Sequence, residues 1–217
     1  MPELRLLGGR ACLDFCNTVD PREGPRAHDF LSSYDDLVAW AGQVGLVGGK
    51  GRRALLTAAR EQPAVAQAAF EEALVLREAL YRIFSSVAAR EPGDAADLEL
   101  LNDVLQRASA ATRLAAAGRG FAWSFTEPEG DLERPLSLLA RSAAELLTSD
   151  ELERVRKCAG RVCGWVFLDA SKNRSRRWCS MESCGSRAKM RRLHARRRGA
   201  ALPVAAERGR EQVRELG

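Results

Sequence analysis

Histidine is scarce: the 217-residue chain has two. With so few, no Ser-His-Asp, Cys-His or mixed metal-ligand arrangement brings a nucleophile, a base and a stabilising group together, and the chain does not read as an enzyme. It also lacks any apolar run of about 18 residues, so no membrane-spanning helix is expected and no membrane partner. The first ten residues include Glu3, Arg5 and Arg10 and no clean apolar stretch, which speaks against a secretory signal. No internal repeat is visible. Gly48-Gly49-Lys50-Gly51 lacks the Gly-x4-Gly-Lys-Ser/Thr order of a phosphate loop and reads as an inter-helix turn.

Six cysteines are present, and four of them make a pattern. Cys158 and Cys163 form one pair, Cys179 and Cys184 another, both with four intervening residues. Two close pairs of thiolates are what a tetrahedral Zn²⁺ needs. The alternatives are four free buried thiols or two disulfides, and the sequence around them is too basic for an ordinary core. Glycines stand where the turns require them, at Gly160, Gly164 and Gly185. Four sulfurs close the coordination sphere, so the zinc would be structural and would not activate water. Thiolate ligands fit a reducing compartment, and a cytoplasmic location follows.

Charge is concentrated around these cysteines. Residues 154–198 hold fifteen Lys and Arg against Asp169 and Glu182, a local excess of +13 in a chain whose net charge is +5. Residues 1–150 are acidic, with 16 Lys and Arg against 22 Asp and Glu. A solvated face is the ordinary account of a charge run. Such an excess on one small metal-held module, with tryptophans interleaved, fits a phosphate-backbone partner better. Trp165 to Leu168 alternate as a short strand and should belong to a small hairpin between the cysteine pairs. Lys172, Arg174, Arg176 and Arg177 follow in a polar turn. Ser186–Arg198 lacks Gly and Pro and reads as a helix with Ser186 as N-cap. That helix would carry Arg187 and, on one face, Lys189, Arg192 and Arg196, while Met190 and Leu193 pack back on the finger. These eight cations are the candidate nucleic-acid contacts.

The motif Cys158-x4-Cys163-Gly164-Trp165-Val166-Phe167-Leu168-Asp169, then Ser171-x-Asn173-Arg174-Ser175-Arg176-Arg177-Trp178-Cys179, then Cys184-Gly185-Ser186-Arg187-Ala188-Lys189, resembles the CGNR zinc finger. In bacterial proteins that finger follows an ABATE domain, and Gly9-Arg10-Ala11-Cys12-Leu13-Asp14-Phe15-Cys16-Asn17-Thr18-Val19-Asp20 is similar to the start of that domain. The resemblance implies a stress-related transcription regulator with a DNA-binding finger. Ser186 stands where the name-giving motif has Asn. Ser replaces a capping Asn well, whereas a contact of that Asn with a base or phosphate would be altered here.

The remainder reads as helices. Ser33 caps a helix with Asp35 and Asp36 in its first turn. Residues 50–60 make a short helix, Pro63 opens the longest one to about Ala89, and Asp94 starts another. Segments 112–116 and 121–126 around Gly118-Arg119-Gly120 read as a β-hairpin, and Asp131–Leu147 as a last helix. Asp14 and Asn17 are polar residues in an apolar stretch, either buried structural groups or part of a ligand pocket. Cys12 and Cys16 read as small core residues, and His28 as no ligand. The expected architecture is α+β, mostly α: a helical domain over 1–150 with a small β-hairpin, a four-cysteine zinc finger over 151–198 with a short hairpin and a basic helix, and a loose tail over 199–217. The acidic domain would sense a small-molecule effector or form a homodimer. DNA is the partner this reading favours. RNA is the first alternative, with Trp165 and Trp178 stacking on unpaired bases, and an enzyme or small-molecule-binding domain in residues 1–150 around Asp14 and Asn17 is the less favoured one.

Overall fold

The computed structural model describes residues 3–24, 27–125 and 130–200. Among them are seven α-helices and three two-stranded antiparallel sheets, a mostly helical α+β architecture. Contacts divide the chain into two compact units, Met1–Cys179 and Ser180–Gly217. The tail expected over 199–217 lies outside the described residues beyond Ala200, where the last helix ends.

In the first unit, α1 (Ala11–Cys16) is only six residues long, yet five of them are buried. Its stability comes from packing against later helices, because six residues are too few to hold a helix alone. α2 (Tyr34–Gln43) starts where Ser33 Oγ accepts the Asp36 N–H, with Asp35 and Asp36 in the first turn as the dipole favours. α3 (Gly49–Glu61) begins earlier than a turn over 48–51 would allow: Gly48 is its N-cap, and Gly49, Lys50 and Gly51 already lie in the helix. α4 (Pro63–Ala89) has proline at its start and ends on Arg90 in the left-handed region. α5 (Ala95–Ala110) is capped by Asp94, whose side chain accepts the Ala96 N–H. β3 (Thr112–Ala117) and β4 (Gly120–Phe125) pair as the expected hairpin; Thr126 lies outside the described residues. α6 (Arg134–Leu147) starts three residues after Asp131, which instead makes a turn that accepts the Arg134 N–H on its carbonyl.

The helices enclose one apolar core around Phe15, Leu37, Trp40, Leu55, Leu76, Leu80, Phe84, Leu136, Leu139 and Leu146, all at most 1 % exposed. At about 1.5–3 kcal/mol per fully buried large side chain, this core dominates the unit's cohesion. Two short pairings were not anticipated. β1 (Val19–Asp20) pairs with β2 (His28–Asp29). β5 (Val155–Lys157) pairs with β6 (Val166–Leu168), so this hairpin brackets the first cysteine pair instead of lying between the two pairs. Val155, Val166 and Leu168 belong to the core cluster. The compact units therefore part after Cys179, although the composition changes near residue 150.

The second unit holds a π-helical turn, Met181–Gly185, that runs into α7 (Ser186–Ala200). Ser186 is already helical and is not the cap; its hydroxyl donates to the Met181 carbonyl at 3.0 Å. The capping serine is Ser180, whose side chain accepts the Glu182 N–H. Met190 and Leu193, expected to be covered, are 49 % and 39 % exposed.

Candidate metal centre and nucleic-acid interface

The four sulfurs of Cys158, Cys163, Cys179 and Cys184 all lie within 4.8 Å of one another, and all four residues are buried. The Cys163 and Cys179 Sγ atoms are 3.6 Å apart. A tetrahedron with Zn–S bonds of about 2.3 Å requires sulfurs about 3.8 Å apart, so the cage has the size of a Zn²⁺ site. Two N–H···S contacts supply positive charge to it. The Cys179 N–H donates to Cys158 Sγ at 3.3 Å, and Arg187 Nη2 to Cys184 Sγ at 3.2 Å. Four thiolates around Zn²⁺ carry a net charge of −2, and such donors stabilise it. The remaining two cysteines take no part. Cys12 and Cys16 are fully buried in the core, and burial pushes the Cys12 thiol up to about 12.

The first pair hangs on the helical core through side chains distant in sequence. Asn17 acts as a strand partner: its Oδ1 accepts the Val166 N–H at 3.0 Å, and its Nδ2 donates to the Val166 carbonyl at 2.8 Å. Trp165 Nε1 donates to the Val19 carbonyl at 3.0 Å, and the Tyr81 hydroxyl to the Gly164 carbonyl at 3.0 Å. The Arg22 and Glu23 N–H groups donate to the carbonyls of Cys163 and Val162. Gly164 has φ +65°, and a Cβ there would come within 2.9 Å of both Arg22 Cβ and the Tyr81 hydroxyl, so this position demands glycine. Asp14 Oδ1 accepts the Gly8 N–H at 2.7 Å, and the Gly8 carbonyl in turn accepts the Leu168 N–H at 2.8 Å. Burial raises the Asp14 pKa, opposed by hydrogen bonds from the Gly8, Leu7 and Gly9 backbone.

Here the comparisons with known proteins bear directly. The family model described as "putative stress-induced transcription regulator", ABATE, matches residues 9–150. The chain belongs to the ABATE family. The model of the CGNR zinc finger matches residues 154–197, which contain all four sulfur ligands. In this ABATE protein the finger's metal is a structural Zn²⁺. No curated protein matches the sequence at a significant level. No helix among the described residues is long and apolar enough to cross a membrane.

The eight candidate nucleic-acid contacts separate into two groups. Lys172, Arg174, Arg177, Lys189, Arg192 and Arg196 are exposed. Arg174 also pairs with Glu153 at 3.2 Å, and the Arg177 guanidinium lies 5.6 Å over the Trp178 ring. Arg176 and Arg187 also make contacts within the fold. Arg176 lies 4.3 Å over the Phe167 ring and donates to the carbonyls of Leu168, Trp178 and Cys179. Arg187 is exposed but donates to the Cys184 sulfur.

Asp169 was not singled out by sequence reasoning, yet it organises the basic turn. Fully buried, it accepts the Ser171 N–H (2.9 Å), the Ser171 hydroxyl (2.6 Å) and the Arg176 N–H (3.0 Å). The spacing Asp-x-Ser at a loop start is the signal that would have found it. His28 is exposed and packs edge-on against Phe30.

Proposed function

We propose that this ABATE protein is a DNA-binding transcription regulator of the cytoplasm. It acts through its zinc finger by binding, with no catalytic step. The observation that carries the reading is α7: Lys189, Arg192 and Arg196 share one exposed face, and none has an ion pair among the described residues. Unpaired cations on one helix face are suited to phosphates, because neutralising a phosphate releases counterions. Lys172, Arg174 and Arg177 add a second exposed basic surface on a turn that Asp169 holds in shape. The acidic N-terminal residues repel polyanions and confine contact to the finger.

Duplex DNA is favoured over unpaired RNA by the placement of the tryptophans. Trp165 is 7 % exposed and spends its N–H on Val19, so it offers no face to a base. Of the two tryptophans of the finger, half-buried Trp178 remains for stacking, and Arg177 stands over its ring.

A mobility-shift titration against duplex DNA, single strands and structured RNA tests this. Affinity for duplex should fall with salt at a log–log slope of about −0.9 per phosphate contacted, and replacing Lys189, Arg192 and Arg196 by Gln should flatten that slope by about three contacts' worth. Binding that ignores salt, or that these changes leave untouched, refutes the proposal. Tighter binding to single strands would select the RNA reading.

A further inference from the structure

Arg187 is exposed, yet its Nη2 lies 3.2 Å from the sulfur of buried Cys184. We propose that Arg187 is a positioning residue of the metal centre. Its guanidinium holds the Cys184 thiolate on Zn²⁺ and shields it from thiol-reactive electrophiles, and without it Cys184 is the ligand through which the metal is lost.

Cys184 has the least support from packed structure. Cys158, Cys163 and Cys179 belong to the first unit. There the Cys158 N–H donates to the Trp165 carbonyl at 2.8 Å, the Cys163 carbonyl accepts the Arg22 N–H at 2.8 Å, and the Cys179 carbonyl accepts from Arg176. Cys184 lies in the π-helical turn Met181–Gly185 of the second unit. Polar contacts close that turn: the Gly185 N–H donates to the Ser180 carbonyl at 3.0 Å, and the Ser186 hydroxyl to the Met181 carbonyl at 3.0 Å. The helix that follows leaves Met190 and Leu193 exposed. A segment with so little apolar burial opens easily.

Arg187 supplies what the turn lacks. The Cys158 sulfur receives a neutral backbone dipole from the Cys179 N–H, whereas the Cys184 sulfur receives a permanent full charge. That charge offsets the negative centre that four thiolates make around Zn²⁺ and draws electron density from the sulfur, which becomes a poorer nucleophile while it stays on the metal. With one end in solvent and the other on a buried sulfur, the guanidinium also lies across the approach of a reagent. The helix does not favour a cation here, because Arg187 and Arg191 are like charges four residues apart. The sulfur contact offsets that repulsion.

The test uses the zinc-loaded full chain without nucleic acid. Zinc affinity is measured by competition with a chelator, and zinc release is followed by a metal-binding dye during treatment with N-ethylmaleimide. In that reaction the thiolate sulfur adds to the carbon–carbon double bond, the neighbouring carbon takes a proton from water, and the sulfur leaves the metal. Peptide mass mapping shows which cysteine carries the first adduct. Arg187→Gln should weaken zinc binding about tenfold or more, speed its release by a similar factor, and place the first adduct on Cys184. Arg187→Lys keeps a charge but not the fixed fork, and should fall between wild type and Gln. Arg191→Gln, exposed and one turn further on, should behave as wild type. A role confined to the helix predicts the reverse for Gln, since relieving the like-charge pair would leave helix content equal or higher and zinc unaffected. Affinity and release within about twofold of wild type for Arg187→Gln overturn the proposal, as do a first adduct on another cysteine, a Lys variant no better than Gln, or equal damage from Arg191→Gln. If Arg187→Gln takes up no zinc, Arg187→Lys decides alone: faster release with Cys184 alkylated first supports the role, and release at the wild-type rate overturns it.

Discussion

Asn17 is the residue whose removal should most clearly separate the finger from the core. Its side chain is 4 % exposed, and both of its hydrogen bonds go to the backbone of Val166, which is fully buried. Asn17→Ala leaves a buried N–H and a buried carbonyl without partners. At about 1–3 kcal/mol for each unsatisfied group, the loss is about 2–6 kcal/mol. For a chain of this size, 1 kcal/mol moves the melting temperature by about 2–4 °C, so a fall of roughly 4–24 °C is expected. Asn17→Asp is the sharper variant. It keeps an acceptor for the Val166 N–H but places an oxygen against the Val166 carbonyl, where Nδ2 now sits at 2.8 Å. It should be at least as damaging as Ala at neutral pH and recover partly in acid, where a protonated carboxyl donates again. Exposed Asn173→Ala is the control and should be nearly neutral. Urea unfolding of the zinc-loaded proteins measures all three. If Asn17→Ala lies within about 0.5 kcal/mol of the wild type, Asn17 is not the clamp described here.

Three further outcomes are expected. Elemental analysis should give one zinc per chain, and chelation should abolish amide protection across 179–185 while sparing α4 and β6, whose core contacts do not involve the metal. For Asp169, burial alone would raise the pKa, but the hydrogen bonds from Ser171 and Arg176 and the nearby Arg156 charge more than offset it and hold the value below the usual 3.8. Its contribution is therefore present above the unfolded value and lost as pH falls through the lowered one, so Asp169→Asn should be less stable at pH 7 and converge on the wild type in strong acid. In α7, circular dichroism should report more helix when duplex DNA is added and no such gain for the Lys189, Arg192 and Arg196 to Gln variant; identical gains would refute the charge argument.

The long helices were legible because their signals are local. Pro63 at the start of α4 and the caps Ser33 and Asp94 act within one turn, and the structure places all three as the sequence implies. The metal cage was legible for a related reason: ligand spacing is set by the reach of a thiolate around one ion. What stayed hidden involves partners far apart in the chain. Nothing near Asn17 signals that it pairs with Val166, 149 residues away. The second strand of the finger's hairpin was missed because Val155–Lys157 is three residues long and looks like the end of a charged segment. Arg176 stands among exposed cations in the sequence, and nothing local signals that its guanidinium lies over the ring of Phe167. Ser186 was mistaken for a cap because the π-helical turn before it starts the helical path five residues earlier.

The two units are held together by different physics, and that difference bears on function. In Met1–Cys179 the first cysteine pair inherits rigidity from a helical core through Asn17, Tyr81 and Gly164. In Ser180–Gly217, α7 has little apolar burial to lean on, since Met190 and Leu193 face solvent. It also sets like charges three or four residues apart at Arg187–Arg191, Lys189–Arg192 and Arg192–Arg196, with no acidic residue in the helix. Each such pair opposes the helix by about 0.2–0.5 kcal/mol, and a 15-residue helix is marginal even without them. A helix whose own charges work against it gains most from a ligand that neutralises them. The same cations that weaken α7 in isolation are the ones a phosphate backbone would reward, so ordering of this helix and binding of the polyanion are expected to be one linked event.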